Sequence, residues 1–306
     1  MRVFITGASG YIGHDVAKAF RAKGHTVYGL VRTEEDAHLL SLDEISPIMG
    51  DLEQPDSYSH VLEEVEVAVQ CAFDYSSDKR VERDAKTIES ILGVFSRSSL
   101  PRTLIYTSGV WVYGSQGYKM VDESMPVTPL EVIKWRPDHE GKVLKATTPL
   151  LRTVIMRPGH VYGGVGGLTN LLFTSTQNGA VSIVGEGNNR WPMVHVQDLA
   201  HAYVSAAEKE LTNVIFNVVD DSTATLWEIA EAIARAAKME GKIKVLSNEE
   251  AEKQFGSIIQ GLQIDLMVNN SRIKRLLGWQ IHHAPFIYDA EIYFNAWQAT
   301  QTAEEF

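Results

Sequence analysis

Short apolar runs alternate with amphipathic stretches through the first half of this chain. Val3–Ile5, Thr26–Val31, Ile45–Met49, Val65–Cys71, Thr103–Thr107 and Thr153–Met156 read as strands, the first apolar enough to be buried on both faces. Segments of helical period lie between most of them. Ile12, Val16, Ala19 and Phe20 share one face of a helix that stops at Lys23-Gly24. Ile88, Ile91, Leu92 and Phe95 share one side of the stretch Arg83–Arg97. Strands separated by helices imply right-handed crossovers and a parallel sheet covered on both faces. From Arg157 the texture changes. Gly159, Gly163, Gly164, Gly166 and Gly167 crowd a loop, and later segments are shorter and mixed. Leu211–Val219 reads as a strand returning to the main sheet, Leu226–Ala237 as an amphipathic helix, and Lys242–Leu246 as a further strand.

The first strand runs into Thr6-Gly7-Ala8-Ser9-Gly10-Tyr11-Ile12-Gly13. Three glycines at a strand-to-helix junction serve three needs: a tight turn, close approach of backbone to a pyrophosphate, and close packing of helix on strand. The helix that opens there aims backbone N–H groups and a positive dipole end at phosphates. The pattern predicts an α/β, Rossmann-type doubly wound parallel sheet in a dinucleotide-binding domain, residues 1–160 plus about 211–240. A smaller mixed substrate region is expected from about 160–210 and 240–306, with ligand between the two, outside the carboxyl ends of the strands.

The end of the second strand chooses between the nicotinamide cofactors. An acidic residue about 20 positions after the glycines would bind a ribose 2′-hydroxyl. Here Val31-Arg32-Thr33 puts a guanidinium there, with no acid before Glu34. Arg32 can pair with a 2′-phosphate through its planar fork, so NADP(H) is favoured over NAD(H). After the third strand, Asp51 can accept from an adenine amino group or close an Asx-type turn.

Bulk composition narrows the partners. The net charge of −11 argues against nucleic acid and anionic membrane, both of which demand a basic face. One cysteine, Cys71, excludes a disulfide framework within the chain and fits a reducing compartment. No apolar run approaches the ~20 residues of a membrane span, and the first strand leaves no room for a leader, so a cytoplasmic location is expected. No Walker lysine follows the glycines, no Gly-x-Ser-x-Gly elbow occurs, and no His/Cys spacing suits a metal.

Taken in order, these segments resemble the extended short-chain dehydrogenase/reductase family, which includes nucleotide-sugar epimerases and dehydratases. The likeness rests on the glycine motif, Gly50-Asp51-Leu52, Thr107–Gly114, Arg157–Gly163, Trp191–Ala200 and Ser271–Trp279, and spans nearly the whole chain. It implies a cofactor contacted by Thr6, Gly7, Ser9, Gly10, Tyr11, Ile12, Gly13, Arg32, Asp51, Leu52, Ala72 and Phe73. Ser108, Pro158, Gly159 and His160 would lie along the nicotinamide. It also makes the helices at about 83–97 and 131–146 candidates for a homodimer contact.

The family works with a Ser/Thr, a Tyr and a Lys four residues after it, the lysine lowering the tyrosine pKa. Alignment puts Gly109, Val132 and Arg136 at those places, with Ser108 beside the first. The literal Tyr-x-x-x-Lys, Tyr75 to Lys79, precedes the active-site strand by about thirty residues and reads as coincidence. Ser108, His160, Arg136 and His139 are therefore the catalytic candidates. Ser108 would orient a carbonyl, Arg136 would hold ribose hydroxyls, and His160, His139 or a water would carry the proton. Tyr113 and Tyr162 read as packing residues, and His195 as an anchor.

The expected activity is an NADP(H)-dependent oxidoreductase for a small carbonyl, alcohol or sugar-derived substrate. A non-catalytic NADP(H)-binding sensor or regulatory protein is the rival from another class. A nucleotide-sugar epimerase or dehydratase would want a basic diphosphate clamp, for which Arg190 and Arg272 are the candidates.

Overall fold

The computed structural model describes residues 1–74 and 77–303. Tyr75, and with it the literal Tyr-x-x-x-Lys, lies outside the described residues. The main sheet has seven strands: β1 (Arg2–Thr6), β2 (Thr26–Val31), β3 (Ser46–Met49), β4 (Val67–Gln70), β5 (Arg102–Thr107), β6 (Leu151–Pro158) and β7 (Val214–Val218). Their order is β3-β2-β1-β4-β5-β6-β7, and every neighbouring pair is parallel. Most apolar runs of the sequence thus fall on strands buried on both faces, as in β4, where all four residues are buried; β3, at the sheet edge, is half-exposed.

Two helical layers cover this sheet. On one side α1 (Tyr11–Ala22) and α6 (Val196–Glu208) pack with β1 and β5 around Val16, Phe20, Leu199 and Tyr203. On the other, α3 (Arg80–Phe95) and α4 (Arg136–Lys145) enclose Ile88, Ile91, Phe95 and Val143. The apolar face of α3 is therefore spent on its own sheet. The remaining labelled helices are α2 (Glu34–Leu42), α5 (Leu168–Ser175) and α7 (Leu226–Ala236).

A third core, around Tyr162, Phe173, Trp191, Ile229 and Phe294, joins α5 and α7 to the helical segment Phe286–Ala303. Three short parallel ladders stitch this region together: His160–Tyr162 with Met193–His195, Val181–Val184 with Ile243–Leu246, and Met120–Val121 with Met267–Val268. Among the described residues no helix is long and apolar enough to cross a membrane.

The stretch 131–146 differs from one continuous helix. Glu131–Ile133 forms a 3₁₀ turn, and α4 starts afresh at Arg136 with Pro137 in its first turn. Proline lacks the amide a helix interior needs but fits its first turn, so the chain breaks there. Val132 and Arg136 consequently do not share one helical register. Beneath the junction Arg157 grips Glu140 with two hydrogen bonds, Nε to Oε1 at 2.9 Å and Nη2 to Oε2 at 2.5 Å. Its Nη1 donates to the Tyr113 hydroxyl, which donates to Asn217 Oδ1. Tyr113 and Tyr162 are fully buried, packing residues as expected.

Candidate functional site

A cleft of about 620 Å³ opens at the carboxyl ends of the strands, where the strand order reverses between β1 and β4. One end is made by the glycine corner. Gly7 has φ +68°, and a Cβ there would fall 2.7 Å from the Ala72 Cα. A Cβ on Gly13 would fall 2.0 Å from the Gly7 carbonyl oxygen. Both positions exclude a side chain, which leaves a cradle with bare walls. Helix α1 begins behind Gly10, which has no side chain to cap it, so its first amides lack partners within the helix. Ser9, Gly10, Tyr11, Ile12 and Gly13 line the cleft.

Arg32 lines the cleft beyond this corner; its side chain is exposed, and no ion pair holds it among the described residues. Asp51 and Leu52 line the same wall. The Asp51 carboxylate accepts from the Glu53 amide at 2.8 Å, an Asx-type turn made by a residue that also faces the cleft. Ala72 and Phe73 complete this end. Thr6 is a correction: it does not line the cleft. It is fully buried, and its hydroxyl donates to Gln70 Oε1 at 2.7 Å beneath the corner. Cys71, half-buried in the cleft wall, has Sγ 3.4 Å from Thr107 Oγ1, and burial pushes its thiol up to about 11.

The other end is built from the segments that follow β5 and β6. Ser108, Gly109, Val110 and Trp111 meet Pro158, Gly159 and His160, with Ile133, Leu168, Leu171 and Ile258 completing an apolar wall. Two polar atoms there are buried without a hydrogen-bond partner among the described residues, Ser108 Oγ and His160 Nδ1. The indole Nε1 of Trp111 donates to His160 Nε2 at 2.7 Å. Burial pushes His160 down to about 3. At neutral pH it is therefore uncharged, and an imidazolium is disfavoured as the proton donor.

Arg136 also lines the cleft. Its Nη1 donates to the Thr107 carbonyl at 2.6 Å, and its guanidinium lies 4.5 Å from the Phe73 ring centre and 4.9 Å from that of Trp135. His139 does not reach the cleft. It is buried with Nδ1 2.6 Å from Asp84 Oδ2, in a network with Tyr106 and Gln70. One helical turn separates the two side chains, and Asp84 of α3 holds the histidine in place.

The fold agrees with what known proteins show. The sequence profile described as "NAD dependent epimerase/dehydratase family" matches residues 3–218. The chain belongs to that family. A relative in Schizosaccharomyces pombe, itself uncharacterised, is 32% identical over 305 residues, covering 96% of this chain and 100% of its own. Among solved structures, UDP-glucuronic acid 4-epimerase from Bacillus cereus, in complex with UDP-glucuronic acid and NAD, superposes with a TM-score of 0.82 at 17% identity. The match covers 98% of this chain and 100% of that one. The human epimerase family protein SDR39U1, with NADPH, gives 0.79 at 20% identity over 96% of this chain and 99% of that one.

Several cleft residues of this epimerase/dehydratase-family chain carry no obvious signal in its sequence. Arg80, Arg83 and Asp84 reach the cleft from the first turns of α3, and Arg83 also pairs with Glu53 at 2.8 Å. Charges on a helix look like a solvated face. The usable clue is that Asp84 continues the buried stripe of Ile88, Ile91 and Phe95. Arg190 and Arg272 lie outside the cleft: Arg190 pairs with Asp265 at 3.2 Å, and Arg272 sits 3.5 Å from the buried Glu123. His195 caps α6, accepting from the Gln197 amide, and stacks on His283 at 3.5 Å.

Proposed function

We propose that this protein is an NADP(H)-dependent oxidoreductase acting on a small carbonyl or alcohol with apolar substituents. The observation that supports it is the pairing, within one cleft, of two differently equipped ends. A side-chain-free cradle lies beside the exposed guanidinium of Arg32, and two unpartnered polar atoms lie in an apolar wall at the far end. The cradle fits a dinucleotide, because glycines at Gly7 and Gly13 leave the space a pyrophosphate needs and the start of α1 offers free amides. Arg32 suits a 2′-phosphate better than a 2′-hydroxyl. Ala72, Phe73 and Asp51 would flank the adenosine, and Arg136 would hold ribose hydroxyls.

When bound, a nicotinamide supplies or accepts hydride at its ring. The chain's part is to place a substrate carbon over Pro158–His160 and to orient its oxygen through Ser108. The proton then passes through water, since His160 is uncharged and His139 is committed to Asp84. A sugar nucleotide is less well served, as Arg190 and Arg272 are engaged away from the cleft.

The test combines binding and turnover. NADPH should raise the melting temperature more than NADH does, and absorbance should fall when NADPH meets one or more of a panel of aldehydes and ketones. Tight NADPH binding with no turnover on any carbonyl would leave a binding or sensor protein instead. A melting temperature that neither cofactor moves would remove the dinucleotide as well.

A further inference from the structure

The side chains around His160 dictate where its proton sits. An indole nitrogen carries a hydrogen and cannot accept, so Trp111 Nε1, 2.7 Å from His160 Nε2, is the donor. Nε2 must then present its lone pair, and a neutral imidazole has its one proton left for Nδ1. That nitrogen is buried and meets no hydrogen-bond partner among the described residues, and His160 is one of the residues that line the cleft.

The ring has little freedom to do otherwise. Trp111 packs edge-on against it at 5.8 Å and Trp191 at 4.7 Å, and the His160 amide donates to the Pro192 carbonyl at 2.6 Å. Trp111 is itself pressed onto Gly261, where a Cβ would fall 2.0 Å from the indole. Neither indole titrates, and an imidazolium would forfeit the bond to Trp111.

We propose that Trp111 is a positioning residue that locks His160 in its Nδ1–H form, and that this N–H and the Ser108 hydroxyl together bind the oxygen of an uncharged carbonyl substrate. The proposal rests on the oxidoreductase reading above and deepens it. Both groups donate hydrogen bonds and keep their protons. The proton that completes the alcohol comes from water, leaving hydroxide to the buffer. An unpaired buried donor is costly, and a carbonyl oxygen has two lone pairs with which to satisfy two such donors at once. Val110, Ile133, Leu168, Leu171 and Ile258 around them favour apolar substituents on that carbonyl.

Histidine ¹⁵N spectra test the tautomer without any turnover. The expected result is a protonated Nδ1 and a lone-pair Nε2 for His160, unchanged between about pH 5 and pH 8, the range in which ordinary histidines titrate. Trp111→Phe keeps a ring and deletes the donor, so a mixture of tautomers should appear. With NADPH present, cyclohexanone should move the His160 Nδ1 proton downfield. In turnover, His160→Phe should lower kcat by ~10²-fold, the scale for loss of one donor to a developing oxyanion. His160→Asn, whose amide N–H reaches the Nδ1 position, should recover most of that loss.

An Nε2-protonated His160 in the wild type, a Nδ1 proton indifferent to cyclohexanone, or wild-type turnover by His160→Phe overturns the proposal. If His160→Phe fails to fold, the spectra and His160→Asn decide. Should the wild type bind NADPH yet reduce no carbonyl, the oxidoreductase reading falls separately, while the spectra still report on the tautomer.

Discussion

At the glycine corner the cleft is a matter of backbone: two positions that admit no Cβ and a helix start left uncapped. At the opposite end it is a matter of side chains, drawn from after β5, after β6 and from segments near 168 and 258. The first end is written in eight consecutive residues. The second exists only when segments about 150 residues apart meet, and its polarity depends on two atoms that the fold leaves without partners. Local geometry makes a reusable phosphate cradle; long-range packing decides what else can sit in it.

Substitutions should separate the two ends. The largest expected effect lies under the side-chain end. Arg157→Ala strands the buried Glu140 carboxylate, and loss of one partner of such a pair costs about 3–5 kcal/mol. Chemical denaturation reads it directly, and a loss below about 1 kcal/mol would show that the pair is hydrated. At the backbone end, Gly13→Ala drives a methyl onto the Gly7 carbonyl. Overpacking of this kind costs about 1–3 kcal/mol, and NADPH should no longer raise the melting temperature of the variant.

Arg32→Gln should weaken NADPH by ~10–100-fold, the worth of a charge-assisted hydrogen bond, and leave NADH unchanged in a fluorescence titration. Equal weakening of both would assign Arg32 to something other than the extra phosphate.

The pH dependence of stability probes the side-chain end further. His160 and His195 are pushed down to about 3 and about 4 by burial. Below about 6.5 the unfolded chain takes up protons that these folded rings refuse, so stability falls as pH drops. Asp220, which burial raises to about 6, takes up a proton in the fold over the same window and opposes one of them. These three groups together leave about one net proton, a contribution of about 1.4 kcal/mol per pH unit between roughly pH 6 and 4, while burial lowers His201 and raises Asp15 in opposing senses. Thermal melts of wild type and His160→Phe should differ in that slope.

The smallest effect has opposite signs in two assays. Ser108→Ala removes a buried hydroxyl that has no partner among the described residues, so the fold should gain up to about 1 kcal/mol while carbonyl reduction slows. A loss in both assays would mean that the hydroxyl is satisfied by water.

Legibility in the sequence follows the same division. β2 matches its apolar run residue for residue, and Leu226–Ala237 is a helix to within one residue, since continuous burial and amphipathic period are local signals. Of the three short ladders only the strand Ile243–Leu246 was legible; its partner Val181–Val184 and both strands of the other two were not, because strands of two to four residues take their meaning from distant partners. The glycine corner was legible except for Thr6, whose hydroxyl turns inward to Gln70. His139 and Arg136 looked equivalent by helical spacing. What separates them is Asp84, contributed by another helix, which captures the histidine and leaves the arginine to the cleft.

Cys71 bears on the rival, sensing role. Sulfur chemistry with peroxides or electrophiles runs through the thiolate, and a thiol raised to about 11 is almost wholly protonated in a cell. Oxidants would thus react slowly at this sulfhydryl, which argues against a sensing role built on the cysteine.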